Sequence, residues 1–184
     1  MRTIWSRERE RVSLKKHLGS LFNSETFQML LALKPQIEEM ASLDITLHSQ
    51  VAGGSEVMIV TNPNCKNCAR IHRHVKEIAS RFPVSLVLLT FPNDRLGEKI
   101  AQIVIAAYYV DGWGKAMQLL EEWYETKCIR GADDYSITTE VQDLWMKQQV
   151  YCRRQRISKT PSVIVGKYYI PEMYPLSDLR YVLT

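Results

Sequence analysis

The chain has 184 residues, 46% of them hydrophobic, and a formal net charge of +4. That is enough apolar material for a real core, and it excludes a disordered or polyionic segment. No stretch reaches the roughly 18 apolar residues of a membrane span, and Met1 to Lys16 is too rich in charge to be the core of a signal peptide. Taken literally, the composition describes a soluble cytoplasmic protein. Four cysteines are too few for a disulfide-stapled framework at this length.

Residues 1–22 mix charge with Val12, Leu14, Leu18, Leu21 and Phe22, the pattern of an amphipathic helix. Asn23 and Ser24 are good caps for a second helix, and Pro35 ends it. Residues 1–40 are thus expected to be an N-terminal helical extension or linker to a domain spanning 41–184. Leu43 to Gln50 alternates like a strand. With the turn signal Gly53-Gly54, it predicts a hairpin with Val57 to Thr61.

A helix over 69–79 follows, then a break at Arg81-Phe82-Pro83 and a second short apolar run, Val84 to Leu89, read as a strand buried on both faces. Strand, helix and strand with a parallel return make a βαβ unit, so the fold class is α/β. Residues 94 to about 156 read as a helical insertion, broken at Gly112-Trp113-Gly114 and at the loop 131–134, with Thr138 or Thr139 as a cap. The sheet then resumes with Ser162 to Val165, a turn at Gly166-Lys167, a returning strand Tyr168 to Ile170, and a closing helix from Leu176 to Leu183. Basic residues gather near the N-terminus and at Arg153, Arg154, Arg156 and Lys159. With no basic-aromatic motif beside them, they read as solvated faces rather than a nucleic-acid surface.

The chemistry concentrates in Asn62-Pro63-Asn64-Cys65-Lys66-Asn67-Cys68, between the first apolar strand and its helix. Two intervening residues place the thiols about one helical turn apart, within bridging reach. Exposed N–H groups and the positive end of the helix dipole favour a thiolate there, and such sites lower a thiol pKa to roughly 3.5–7.5. Cys65 is therefore read as the nucleophile and Cys68 as the thiol that resolves its mixed disulfide. Lys66 adds positive charge that tunes the thiolate, with Arg70 and Arg73 more distant.

Cys65-Lys66-Asn67-Cys68 after an apolar strand, with Lys159-Thr160-Pro161-Ser162-Val163-Ile164-Val165 before a hairpin, resembles a thioredoxin fold. The long helical insertion makes it similar to the DsbA-like branch. Four segments, 60–65, 123–125, 157–161 and 170–174, resemble the thioredoxin-like domains of Bacteroidetes-type proteins, which are often joined to a vitamin K epoxide reductase-like membrane domain. The similarity covers about residue 40 to 184. It implies a thiol–disulfide oxidoreductase without a cofactor, acting on protein thiols or disulfides and exchanging electrons with a membrane redox partner. It also implies an extracytoplasmic, periplasmic setting, with the full protein tethered to the membrane. By the same resemblance Pro161 is cis and faces the cysteines, and Thr160 offers its backbone to an extended substrate peptide. One departure stands out. Thioredoxin-type proteins usually carry a buried Asp or Glu six positions before the first cysteine, where this chain has Ile59. The resolving thiol must then pass its proton to water or to another group.

Other readings stay open beside these. A non-catalytic thioredoxin-fold interaction domain uses the same elements. Cys65, Cys68, His72 and His74 nominally offer four zinc ligands, but one helical turn cannot wrap a tetrahedral ion with all four. His72 and His74 are expected at the surface. Cys128 and Cys152 read as buried, inert thiols, with a structural disulfide between them as the main alternative and an electron relay as a third. Trp113, Trp123, Trp145, Tyr108 and Tyr109 read as helix packing.

Overall fold

The computed structural model describes residues 23–183. The predicted helix within residues 1–22 lies outside them. Five strands form one sheet in the order β1-β3-β2-β4-β5: β1 (Leu47–His48), β2 (Val57–Thr61), β3 (Val84–Leu88), β4 (Ser162–Val165) and β5 (Tyr168–Tyr169). β2 is central. It runs parallel to β3, with Val57 opposite Val84, and antiparallel to β4, with Val57 opposite Val165. The four helices of the described residues are α1 (Ser24–Ala32), α2 (Lys66–Ala79), α3 (Arg95–Thr126) and α4 (Thr139–Arg154).

Period-two alternation along β2 divides the interior. Val57 and Ile59 join Val75 and Ile78 of α2 on one face, while Met58 and Val60 meet Tyr151 and Cys152 of α4 on the other. Covering both faces buries every residue of β2 and β3, as their unbroken apolar composition requires. α1 docks on the domain: Phe27 and Leu31 enter the core, and the Phe27 ring meets Tyr174 edge-on at 4.9 Å. Burying side chains of that size contributes about 1.5–3 kcal/mol each. The segment after α1 runs along β5, where Gln36 bridges Tyr168.

Three helix boundaries follow their capping chemistry. Asn23 accepts from the Thr26 N–H at 2.8 Å, Asp94 from Gly97 at 2.9 Å, and Thr138 from Val141 at 3.4 Å. Gly112 does not end α3 but kinks it, at φ 80° and ψ −173°, a conformation open to glycine and costly to other residues. α3 and α4 fill the interval between β3 and β4 as the helical insertion.

Two expectations are corrected. The segment 43–50 is a single 3-10 turn, Leu43–Ile45, followed by the two-residue β1, and β1 pairs with β3 (Leu47 opposite Leu86) instead of forming a hairpin with β2. β2 has β3 and β4 on its two edges, so no edge is left for β1. The closing helix is a 3-10 segment, Leu176–Tyr181, whose Leu176 and Leu179 are buried against the core.

Candidate active site

The two cysteines sit where β2 leaves the sheet and α2 begins. The intervening loop is held by Asn62: its side-chain Oδ1 accepts from the Asn64 N–H at 2.6 Å, and its backbone O accepts from the Cys65 N–H at 3.1 Å. The first is the contact an Asn side chain supplies at a turn. The kinked helix α3 clamps the same loop from outside. Trp123 Nε1 donates to Pro63 O at 2.9 Å, and the Tyr124 hydroxyl donates to Asn62 O at 3.0 Å. Asn64 Nδ2 also donates to Asp94 Oδ1 at 2.7 Å, so the carboxylate that caps α3 holds the loop too.

Cys65 is the cap residue of α2. Its sulfur accepts from the Cys68 N–H at 3.3 Å and lies 3.3 Å from Thr160 O, to which the thiol donates. The Thr160–Pro161 peptide bond is cis. The chain entering β4 brings Thr160 to the Cys65 sulfur across 95 residues of sequence. Cys65 is half-buried, Cys68 is 1% exposed, and Lys66 is exposed.

The environments drive the two thiols apart. Burial disfavours the Cys65 thiolate. Hydrogen bonds from the Cys68 thiol and N–H, the Thr160 side chain and the Asn67 N–H outweigh it, and Cys65 is held below the ordinary thiol value. Cys68 goes the other way. Burial first, then its hydrogen bond with Cys65, pushes it up to about 11, against weaker opposition from the Thr61 side chain, the Asn62 backbone and the Thr160 side chain. The thiolate is thus favoured at Cys65, and the proton is retained at Cys68. The groups that lower Cys65 are hydrogen-bond donors of Cys68, Asn67 and Thr160, and Lys66 is not among them.

Beneath Cys68 lies a polar cluster that sequence reasoning missed. The Thr61 and Tyr124 hydroxyls are 3.0 Å apart, and Thr61 also hydrogen-bonds Cys68. His72 packs edge-on against Tyr124 at 5.2 Å and is 4% exposed, correcting its expected surface position. It falls on the helix face of Cys68, Val75 and Ala79, all buried. Its Nε2 lies 3.0 Å from Met117 O, which fixes the proton on that nitrogen of the neutral ring. Burial, aided by Lys76, lowers its pKa against the pull of Met117 O and Glu121. Trp123, read as packing, is with Tyr124 also the clamp on the cysteine loop. The signal for them was the segment 123–125, where the resemblance to thioredoxin-like domains was already visible.

The other two cysteines separate. Cys152 is buried between β2 and α4, whereas Cys128 is exposed, contrary to the expectation of two buried thiols. All four are free thiols. Tyr109, at 58% exposure, is a surface residue rather than helix packing. Among the described residues no three His, Cys, Asp or Glu side chains converge in metal-binding geometry, and no helix is long and apolar enough to cross a membrane.

A central βαβ unit, a helical insertion, and a cis-proline loop facing a Cys-x-x-Cys cap define a thioredoxin-like fold of the DsbA type. Solved structures share it. ScsC of Proteus mirabilis in a transitional conformation matches 96% of this chain and 87% of its own at TM-score 0.63 and 13% identity. A periplasmic thioredoxin-like protein from Salmonella enterica serovar Typhimurium matches 79% and 96% at TM-score 0.62 and 14% identity. The thiol-disulfide exchange protein alpha-DsbA2 of Wolbachia pipientis matches 73% and 83% at TM-score 0.58 and 13% identity. No family model and no curated relative matches the sequence.

Proposed function

We propose that this chain is a protein thiol–disulfide oxidoreductase working through Cys65 and Cys68. The observation that carries the reading is the opposed tuning of two adjacent thiols, one half-exposed and acidified at a helix N-terminus, the other buried and proton-retaining. In the reduced protein the Cys65 thiolate attacks a substrate disulfide, forms a mixed disulfide and expels one substrate thiolate. Cys68 then loses its proton and attacks Cys65 Sγ. This forms the Cys65–Cys68 disulfide and releases the second substrate thiol, so two electrons and the one proton of Cys68 have left the protein. The oxidised protein runs the same steps backwards. The compartment's poise sets the direction against the pair's potential, which in related domains ranges from about −270 to −120 mV.

Thr160 and Pro161 form the substrate-binding lip in this reading, with an extended peptide adding along the backbone of Thr160. Lys66 contributes a modest electrostatic bias. The setting is extracytoplasmic and the redox partner a membrane protein of vitamin K epoxide reductase type, as the sequence resemblance implies. Titrating free thiols across a glutathione gradient, with insulin reduction and scrambled-protein refolding alongside, tests the assignment. A single two-electron transition is expected, with activity falling roughly a thousandfold or more in Cys65→Ser and about twofold in Lys66→Gln. An ordinary Cys65 pKa together with no activity in either assay points instead to an interaction domain. Activity fully kept in Lys66→Gln removes the role given to that lysine.

A further inference from the structure

A groove of about 620 Å³ opens beside the cysteines' proline. Its apolar floor includes Ile71 of α2, Pro161 and Ile170, and its rim carries Lys34, Arg156 and Lys159. Glu172 is the one carboxylate among the residues lining it. Two of these cations belong to the basic cluster 153–159 that reads, in sequence, as a solvated face. The fold sends that cluster's members to different places. Arg154 lines a separate cavity with Lys147 and Met146, whereas Arg156 and Lys159 turn toward Pro161. Lys34 reaches the same groove from the end of α1, more than a hundred residues away in sequence.

Elsewhere on the surface, two cations are held in ion pairs. Lys76 meets Glu121 at 2.6 Å and Arg130 meets Glu122 at 2.8 Å. Among the described residues, none of the three groove cations forms an ion pair. A concave apolar wall beside unneutralised charge focuses the field and attracts the opposite sign.

We infer that this groove selects substrate peptides carrying acidic residues together with an apolar side chain next to the reacting cysteine. The apolar side chain covers the floor at Ile71 and Ile170, and the acidic residues meet Lys34, Arg156 and Lys159. Its kinetic arm rests on the redox reading above; its binding arm does not.

The test uses two peptides with the same apolar residues, flanked by three acidic or three lysine residues. In the kinetic arm each is joined to glutathione as a mixed disulfide, and its rate with the reduced protein is divided by the rate on uncharged hydroxyethyl disulfide. In the binding arm the cysteine is replaced by serine and affinity is read by fluorescence anisotropy. The acidic peptide should win by about tenfold at low salt, with the advantage shrinking steeply as salt is raised. The double variant Arg156→Glu with Lys159→Glu should abolish or reverse that preference. Lys147→Glu with Arg154→Glu, an equal change of net charge at the other cavity, should keep it. Equal handling of the two peptides, or an equal loss in both double variants, overturns the inference. No reaction with hydroxyethyl disulfide but selective binding of the acidic serine peptide sinks the redox reading and leaves the groove assignment standing.

Discussion

Two thiols of this protein are sealed almost equally and differ in what surrounds them. Cys68 is 1% exposed and Cys152 is 0% exposed, and both lie against the central strand β2. Burial raises both, Cys68 to about 11 and Cys152 to about 12. For Cys152 burial is the whole account: its neighbours are apolar, and the raised thiol is simply a small hydrophobe. Cys68 has Cys65 as a hydrogen-bond partner, Thr61 and Thr160 side chains, and the Asn62 backbone. Depth makes a thiol quiet. What makes one useful is a neighbouring sulfur that takes the charge and a ring of donors that can later hold its own.

The largest test of this contrast is alkylation with iodoacetamide, resolved by site in a mass spectrometer. Rate follows the thiolate fraction, so at neutral pH Cys65 should lead Cys68 by at least about a hundredfold and Cys152 by at least about a thousandfold. As pH rises, Cys65 should level off below the ordinary thiol value, while Cys68 keeps gaining until about pH 11. Comparable rates at Cys65 and Cys68 would erase the division of roles. A smaller effect concerns the inert thiol. Cys152→Ser places a hydroxyl among Met58, Val60 and Ile164 and should cost about 1–3 kcal/mol in denaturant unfolding, with activity per folded molecule unchanged. The pH dependence has a definite sign. A folded-state pKa raised from 9.0 to about 12 means that the native state keeps its proton longer. The stability Cys152 contributes is complete below pH 9 and is lost as pH climbs toward 12, so Cys152→Ala should flatten that alkaline decline. An unchanged decline would assign it to other groups.

The same contrast explains how much could be read in the sequence. β2, β3 and the β4–β5 hairpin were legible because buried strands are short, apolar and bounded by turn residues, as Val57 to Thr61 and Val84 to Leu88 are. Cys65 and Cys68 were legible because a two-residue spacing fixes geometry locally. Thr160 and Pro161 were placed only through a family resemblance, since nothing local says that residue 160 returns to residue 65. β1 was misassigned because two residues carry no information about their partner, and Gly53-Gly54 resembles a hairpin turn while closing none. His72 was misplaced because its charged neighbours Arg70, Arg73 and His74 suggested a wet face, although positions 68, 72, 75 and 79 share a buried one. The clamp of Trp123 and Tyr124 on Asn62 and Pro63 spans about sixty residues, beyond any periodicity.

The smallest effect is the most informative about Cys68. Ile59 leaves the strand position six residues before Cys65 without a carboxylate, so the buried thiol must lose its proton among hydroxyls. The Tyr124 hydroxyl gives its hydrogen to Asn62 O, which leaves its oxygen to accept from Thr61 at 3.0 Å. The Thr61 hydrogen is then free to turn to Cys68 Sγ once that sulfur is charged, while water or the departing substrate thiolate takes the proton. Thr61→Val keeps the shape of a β-branched strand residue and deletes that donor. It should raise the Cys68 pKa further and slow release of the mixed disulfide about fivefold, the effect of one lost hydrogen bond of about 1 kcal/mol. Attack by Cys65 should be little changed, so the trapped intermediate should accumulate in acid-quenched samples and its decay should shift to higher pH. Tyr124→Phe removes the competing acceptor and leaves the Thr61 donor in place, so it should not slow the same step. A Thr61→Val protein that resolves its mixed disulfide at the parent rate and pH profile would show that the hydroxyl under Cys68 is only packing.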